Sequence, residues 1–340
     1  MPDLFRSNSA DEASRATPPI FVVGSARSGT KMLRELLNNA PDIWIPQVES
    51  VFIPHFSGRI SRYGDLSKWD NFQQLAGDIG STRAALELAD LGIHIEPRKW
   101  YDSCRSYEWP AVLEAYYRCV FEAEQGEGKR PWEEIIWGDK TPDYVSEIPL
   151  LSKLFPESRF IHIIRDPRDI CLSAMKVWNK HPLRTVQLWD DEVNSGRRDG
   201  RALGPARYYE LRYEDLLDDV RGELEGIFRF LGIPLPENAG ELSRTPEYYG
   251  DAKGRQKVLK DNKGKWKSQL PPHHQSRIES IAGATLDELG YERLYSDAKP
   301  GRLNSLQMKL YRYLDIWHMT LFRRKERGSW REAFKFLLSR

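Results

Sequence analysis

The chain has 340 residues, with 51 Lys and Arg against 50 Asp and Glu; it can bury a full-sized core, and its balanced charge excludes a global field drawing it to nucleic acid. No run approaches the roughly 18 apolar residues of a spanning helix, and the polar start MPDLFRSNSADEASRATPP has no apolar signal region, so neither signal peptide nor membrane anchor is read. Cys104, Cys119 and Cys171 have neither a disulfide-framework nor a metal-ligand spacing, and read as buried thiols of a reducing compartment.

In chain order, residues 1–18 read as a disordered leader. Ile20, Phe21, Val22 and Val23 have the character of a buried parallel strand, and Met32, Leu33, Leu36 and Leu37 repeat with helical spacing. Between them, Ser25-Ala26-Arg27-Ser28-Gly29-Thr30-Lys31 hands a strand to a helix, leaving backbone N–H groups and a positive helix end aimed at one point. Gly29 admits an anion close to the backbone, while Arg27, Ser28, Thr30 and Lys31 add donors and charge, so the unit reads as a phosphate or sulfate loop rather than an ordinary turn. It is not the loop of a nucleotide triphosphatase, G-x-x-x-x-G-K-[ST], because Thr30 precedes Lys31 and the lysine and metal-binding hydroxyl exchange places.

Ile43-Trp44-Ile45 reads as a short second strand, with Glu49 just past its end among apolar residues; a plain surface glutamate is the competing reading. From 56 to 135 the sequence is aromatic, charged and mostly helical, with Leu86, Leu88, Leu91, Tyr116, Tyr117 and Phe121 as expected core positions, and it reads as an insertion able to roof an acceptor site. Trp69, Trp100, Tyr101, Tyr107 and Trp109 read as core rather than sugar platforms. Glu134 to Trp137 is a further strand, and Lys140 stands at the sheet edge where open α/β sheets bind ligands.

Arg159 to Ile164 is a buried strand that breaks at Arg165-Asp166-Pro167 into a helix, with Asp166 as cap and Pro167 at its first position. Ser173 follows Arg165 by eight residues, about 12 Å of helical rise, so the two could share a second phosphate, a salt-bridged arginine and a helix-facing serine being the competing reading. Tyr208 to Leu216 reads as a strand entering a helix that continues through Leu224, Ile227, Phe228 and Leu231 to Gly232. KGRQKVLKDNKGKWK, residues 253 to 267, has seven cationic side chains and suits an anion. A helix through Ile278, Ile281, Leu286 and Leu289 ends the main body, and beyond 303 Leu306, Leu310, Leu314, Trp317 and Leu321 share one helical face, followed by Arg323-Arg324-Lys325 and a second amphipathic piece with Trp330, Phe334, Leu337 and Leu338. Packing of this tail on the body or on a partner subunit is preferred to membrane-surface contact.

The ordered set SARSGTKML, GDKTP, IIRDPRDICLS, RYEDLL and GKWK resembles the sulfotransferases that use 3′-phosphoadenosine 5′-phosphosulfate, over residues 19 to 292. The resemblance implies an α/β fold: a three-layer open parallel sheet flanked by helices, with a P-loop-like 5′-phosphosulfate loop at Arg27 to Met32, a helical insertion and C-terminal amphipathic helices. It divides the chain into a leader 1–18, a sulfotransferase domain 19–300 with the insertion 56–135, and a tail 301–340. Arg165 and Ser173 match the pair on the 3′-phosphate, Tyr213 a position near the adenine, and Lys263, Gly264 and Lys265 the segment folding over the 3′-phosphate, with Lys260 an alternative. Cytosolic phenol and steroid sulfotransferases carry a histidine two residues after the lysine matching Lys140; here Pro142 stands there. Glu49 falls in the register of the glutamate of heparan-type enzymes, with His55 as fallback, Gln47 being an amide.

The activity so implied is an enzymatic in-line transfer of a sulfuryl group from 3′-phosphoadenosine 5′-phosphosulfate to the hydroxyl of a glycan, alcohol, phenol or tyrosine, without metal. Glu49 is the expected base, its pKa raised toward neutrality by desolvation, with Lys31 or Arg27 and Lys140 neutralising charge on the bridging oxygen. The alternatives are a metal-dependent P-loop small-molecule kinase and an inactive module binding 3′-phosphoadenosine 5′-phosphate or glycan. The expected setting is soluble and cytoplasmic, with no nucleic-acid partner, and with homo-oligomer or peripheral contact through the tail.

Overall fold

The computed structural model describes residues 17–125, 130–242, 244–245, 253–297 and 299–327, the last nine by backbone alone. The expected leader up to residue 16 and the second amphipathic piece at 330–338 lie outside them.

Five parallel strands, β1 (Ile20–Val23), β2 (Ile43–Trp44), β3 (Ile136–Asp139), β4 (Arg159–Ile164) and β5 (Tyr208–Arg212), form a sheet ordered β2-β3-β1-β4-β5. Central β1 pairs Ile20 with both Gly138 and Arg159, so it is covered on both edges and both faces, which is why it reads as an unbroken apolar run. Its side chains alternate between two cores. Ile20 and Val22 join Leu33, Leu36, Ile161 and Ile163 on one face, while Phe21 and Val23 join Trp44, Trp137 and Phe160 on the other. Phe21 and Phe160 stack across the pair with ring centroids 5.3 Å apart. Helices therefore cover both faces, giving the three layers expected of this α/β fold.

Helix α1 (Thr30–Leu37) follows β1. Between β2 and β3 the described residues form five α-helices, Ile53–Ser57, Trp69–Gly80, Arg83–Asp90, Pro97–Asp102 and Trp109–Gln125. Trp100, Trp109, Tyr116, Tyr117 and Phe121 are buried among them, but Leu86 and Leu91, expected in the core, are exposed, because Arg83–Asp90 buries only Ala84 and Leu88. β3 begins later than expected: Trp132 to Glu134 close a 3₁₀ turn, with Glu134 N–H donating to the Pro131 carbonyl at 3.0 Å. Beyond β4, a helix over Pro167–Trp178 and another over Pro182–Ala202 pack with Pro272–Glu288 on a third apolar cluster around Trp189 and Trp266. After β5 the single expected helix is two, Tyr213–Asp218 and Val220–Leu231. Asp219 leaves helical geometry (φ −135°) and its carboxylate caps the second by accepting from Gly222 N–H at 2.9 Å.

All five strands thus end at one edge of the sheet, and residues 24–31, 45–52, 140, 165 and 213 leave from that edge.

Candidate active site

The loop after β1 is shaped by close backbone contact. Gly24 (φ +154°) donates its N–H to the Pro142 carbonyl at 3.3 Å, and a Cβ there would lie 2.4 Å from the Ile163 carbonyl oxygen. Ser28 N–H closes a turn onto the Ser25 carbonyl at 3.1 Å, with Arg27 left-handed at φ +73° and Gly29 at +101°. Gly29 is the cap of α1, so no side chain satisfies the first N–H groups of the helix, and its first turn carries no acid. The Ser28 hydroxyl is buried beside them with no hydrogen-bond partner among the described residues. These donors, with Lys31 on the first turn of the helix, fit an anion.

A second cradle forms where β4 ends. Asp166 caps the following helix by accepting from Arg168 N–H at 2.9 Å, which fixes the exit of Arg165. Arg165 donates from Nη1 to the Arg27 carbonyl at 3.1 Å and from Nη2 to the Asn262 carbonyl at 2.8 Å, and lies over the Tyr213 ring at 4.4 Å. Its buried Nε has no partner among the described residues. Arg27 bridges the cradles: its backbone stays in the first loop, while Nε donates to the Ser173 hydroxyl at 3.0 Å and the guanidinium lies 5.6 Å from the Trp178 ring centroid. The structure thus brings Arg27, Arg165, Ser173 and Tyr213 together, and turns the Arg27 side chain toward the second cradle rather than toward Glu49.

One cleft takes in the second cradle and the adjoining edge of the first loop, while Ser28, Thr30 and Lys31 lie outside its lining. Of the expected residues, Arg27, Gly29, Met32, Arg165, Ser173, Tyr213 and Lys265 line it. Lys176, Arg255, Lys257 and Asn262 also line it; the density of cations in 253–267 pointed to this loop but not to these members. Lys263 pairs with Asp218 and is not among the lining residues, and Lys260 is exposed. Gly264 and Trp266 anchor the loop instead, donating N–H to the two oxygens of Asp169 at 2.6 and 2.9 Å. Arg168 lies 3.6 Å over Trp266 and bonds to Asp166 and Glu279, so the heel of the loop is fixed.

Beside the first loop, Lys140 Nζ bonds to Glu49 Oε1. The Glu49 segment is pinned from α1 and its C-terminal cap: the Asn38 side chain exchanges two 2.9 Å hydrogen bonds with the Ile45 backbone, and Arg34 Nη1 donates to the Gln47 carbonyl at 2.7 Å. Beyond Glu49, the Ser50 hydroxyl meets Tyr144 Oη at 2.6 Å, and Val51 takes a left-handed φ of +57°, rare for a β-branched residue. His55 is exposed and contacts Arg59 at 2.9 Å.

Burial pushes Lys140 down to about 8 from 10.5, the charges of Arg34 and Lys31 adding to it and Glu49 opposing. For Glu49, burial acts to raise the pKa, but Lys140 outweighs it, with Lys31 and Arg83 adding, and the carboxyl lies below its ordinary range. This corrects the expectation of a Glu49 pKa raised toward neutrality: the lysine that meets it comes from a strand 91 residues on. The site therefore rests as a carboxylate paired with an ammonium.

Residues 18–237 match the model of the sulfotransferase family. The chain belongs to that family. The omega-hydroxy-beta-dihydromenaquinone-9 sulfotransferase Stf3 of Mycobacterium bovis is 28% identical over 327 residues, covering 85% of this chain and 78% of its own. Nodulation protein NoeE of Sinorhizobium fredii is 23% identical over 309 residues, covering 82% of this chain and 67% of its own. Among solved sulfotransferase structures, the domain from the curacin biosynthetic pathway superposes with a TM-score of 0.54 at 19% identity, over 82% of this chain and 100% of its own. The fold is thus shared with that sulfotransferase domain.

Proposed function

We propose that this protein moves a sulfuryl group from 3′-phosphoadenosine 5′-phosphosulfate to an acceptor hydroxyl. The observation carrying this reading is the pair of anion cradles joined by Arg27, the first of them beside the Glu49–Lys140 pair at the same sheet edge. The buried Ser28 hydroxyl and Arg165 Nε, one in each cradle and without partners among the described residues, fit the two phosphate-bearing ends of such a donor. The donor supplies an activated sulfuryl group, and the chain supplies position and charge.

Residues Arg165, Ser173, Arg27 and Lys265 hold the 3′-phosphate, with Tyr213 beside the nucleoside, while the loop from Arg27 to Met32 holds the 5′ side. Glu49, ionised at neutral pH, takes the proton of the acceptor hydroxyl. Lys140 and Lys31 neutralise charge on the leaving oxygen without a metal ion. As Lys140 turns its proton toward that oxygen it releases Glu49, whose basicity then rises because the charge that depressed it has another partner. The acceptor is an alcohol: the relative named for a hydroxylated menaquinone derivative supports this class. The free Cys104, Cys119 and Cys171 are in keeping with work in a reducing cytoplasm.

Calorimetric titration with 3′-phosphoadenosine 5′-phosphate, and with ATP plus magnesium as the rival, tests the donor site. Labelled sulfate transfer to a panel of alcohols, glycans, phenols and peptides tests the reaction. Binding of ATP and magnesium with no heat from 3′-phosphoadenosine 5′-phosphate overturns the reading, as does binding without transfer to any hydroxyl.

A further inference from the structure

The last helix (Ser305–Arg327) reaches the body by one face, where Met308 and Tyr311 pack on the third apolar cluster beside the polar contacts of Asp315. Its buried Asp315 accepts from His181 N–H at 2.7 Å and from Arg184 Nη1 at 3.0 Å, and Tyr311 stacks on the His181 ring at 3.6 Å. The expected packing of the leucine face on the body is corrected here. Leu306, Leu310, Tyr313, Leu314 and Trp317 are 77, 55, 70, 38 and 59% exposed. Their spacing of four, three, one and three residues makes one stripe, on the side of the helix opposite Asp315. Five large apolar side chains in a row on a helix already docked by its other face constitute a surface that water does not favour.

Charge decides the occupant. The helix carries Lys309, Arg312, Arg323, Arg324, Lys325 and Arg327 against Asp315, which Arg184 neutralises, and Glu326. A second copy laid on this stripe would bring like charges together. The chain's own residues 328–340 add Arg331, Lys335 and Arg340 against Glu332, so they too repel. We propose that this stripe docks on an anionic lipid surface, with Leu306, Leu310, Leu314 and Trp317 in the headgroup boundary, Tyr313 at the interface, and the flanking cations on lipid phosphates. No helix among the described residues is long and apolar enough to cross a membrane, so the contact is peripheral. The helix joins the body at residues 179–181, next to Trp178, whose ring contacts both Lys180 and Arg27. The surface so held is coupled through few contacts to the donor cleft, which suits an acceptor hydroxyl carried on a membrane-dissolved molecule.

Co-sedimentation of the full chain with vesicles of phosphatidylglycerol and phosphatidylcholine, or of phosphatidylcholine alone, tests the proposal without reference to sulfuryl transfer. Binding to the anionic vesicles is expected to be at least about tenfold tighter, and to weaken roughly fivefold for Lys309→Gln or Arg312→Gln alone. Leu310→Glu and Trp317→Glu should abolish it with an unchanged melting temperature, since both side chains are exposed. The proposal fails if anionic and neutral vesicles bind equally or not at all. It fails equally if these substitutions instead remove a lipid-independent dimer, or if binding appears only after deletion of residues 328–340.

Discussion

Replacing Lys140 by methionine should make the protein more stable and stop it from catalysing. Lys140 is fully buried, and its pKa of about 8 against an ordinary 10.5 states the cost of keeping it charged there, Glu49 included. At 1.36 kcal/mol per pH unit the gap converts to about 3 kcal/mol at pH 7, which an apolar side chain of similar shape recovers. The opposing effect is the Glu49 charge left behind. Breaking a fully buried pair costs about 3–5 kcal/mol, but the Glu49 side chain is 33% exposed and keeps the fields of Lys31 and Arg83, so water and these charges hold it. The net gain should raise the melting temperature by roughly 2–4 °C at pH 7, since a chain of 340 residues shifts by only about 1.4 °C per kcal/mol. The unfolded chain binds more protons than the folded one between about 8 and 10.5, so the parent gains stability across that window and the variant does not. Thermal denaturation from pH 6 to 10.5, beside labelled-sulfate transfer, reads both effects. A Lys140→Met protein that melts below the parent at pH 7, or whose advantage does not shrink toward pH 10.5, refutes the reasoning.

For Glu49→Gln, transfer should fall by roughly 10²–10⁴ with calorimetric affinity for 3′-phosphoadenosine 5′-phosphate unchanged. Initial rates in the parent should decline as pH rises through about 8, where Lys140 loses its proton, and a rate still climbing at pH 9 would contradict that role. Arg165→Ala should weaken 3′-phosphoadenosine 5′-phosphate binding by roughly 10- to 100-fold and Ser173→Ala only a few-fold, measured by titration, because a charged donor outweighs a neutral one. Relief of the left-handed Val51 (φ +57°) in Val51→Gly should offset the added chain entropy, leaving the melting temperature within about 2 °C of the parent, while kcat falls because the turn that aims Glu49 loosens.

The two strand-loop-helix units that form the candidate anion cradles were legible because their signals are local. An apolar run stopping at Gly24, a cluster of donors through Lys31, and a helix carrying Ser173 in phase with Arg165 all lie within one strand-loop-helix unit each. The placement of Glu49 and Lys140 could be read, but their electrostatics could not, since they depend on contact between two strand ends that are not sequence neighbours. Arg27 was misjudged for a similar reason: nothing in its own loop announces that its side chain leaves toward Ser173. In the basic loop, charge density pointed to an anion site, whereas the choice of Lys265 over Lys263 depends on Asp218 drawing the latter away. The last helix showed an amphipathic pattern but not its direction, because the buried Asp315 with Met308 and Tyr311, rather than the leucines, makes the attachment.

Asp169 secures the basic loop through main-chain N–H groups of residues 264 and 266, not through its cationic side chains. Lysines and arginines of that segment can therefore be exchanged, gained or lost without changing where the polypeptide re-enters the body. Mutational drift can change the charge this loop presents to the cleft while the backbone that carries it stays the same.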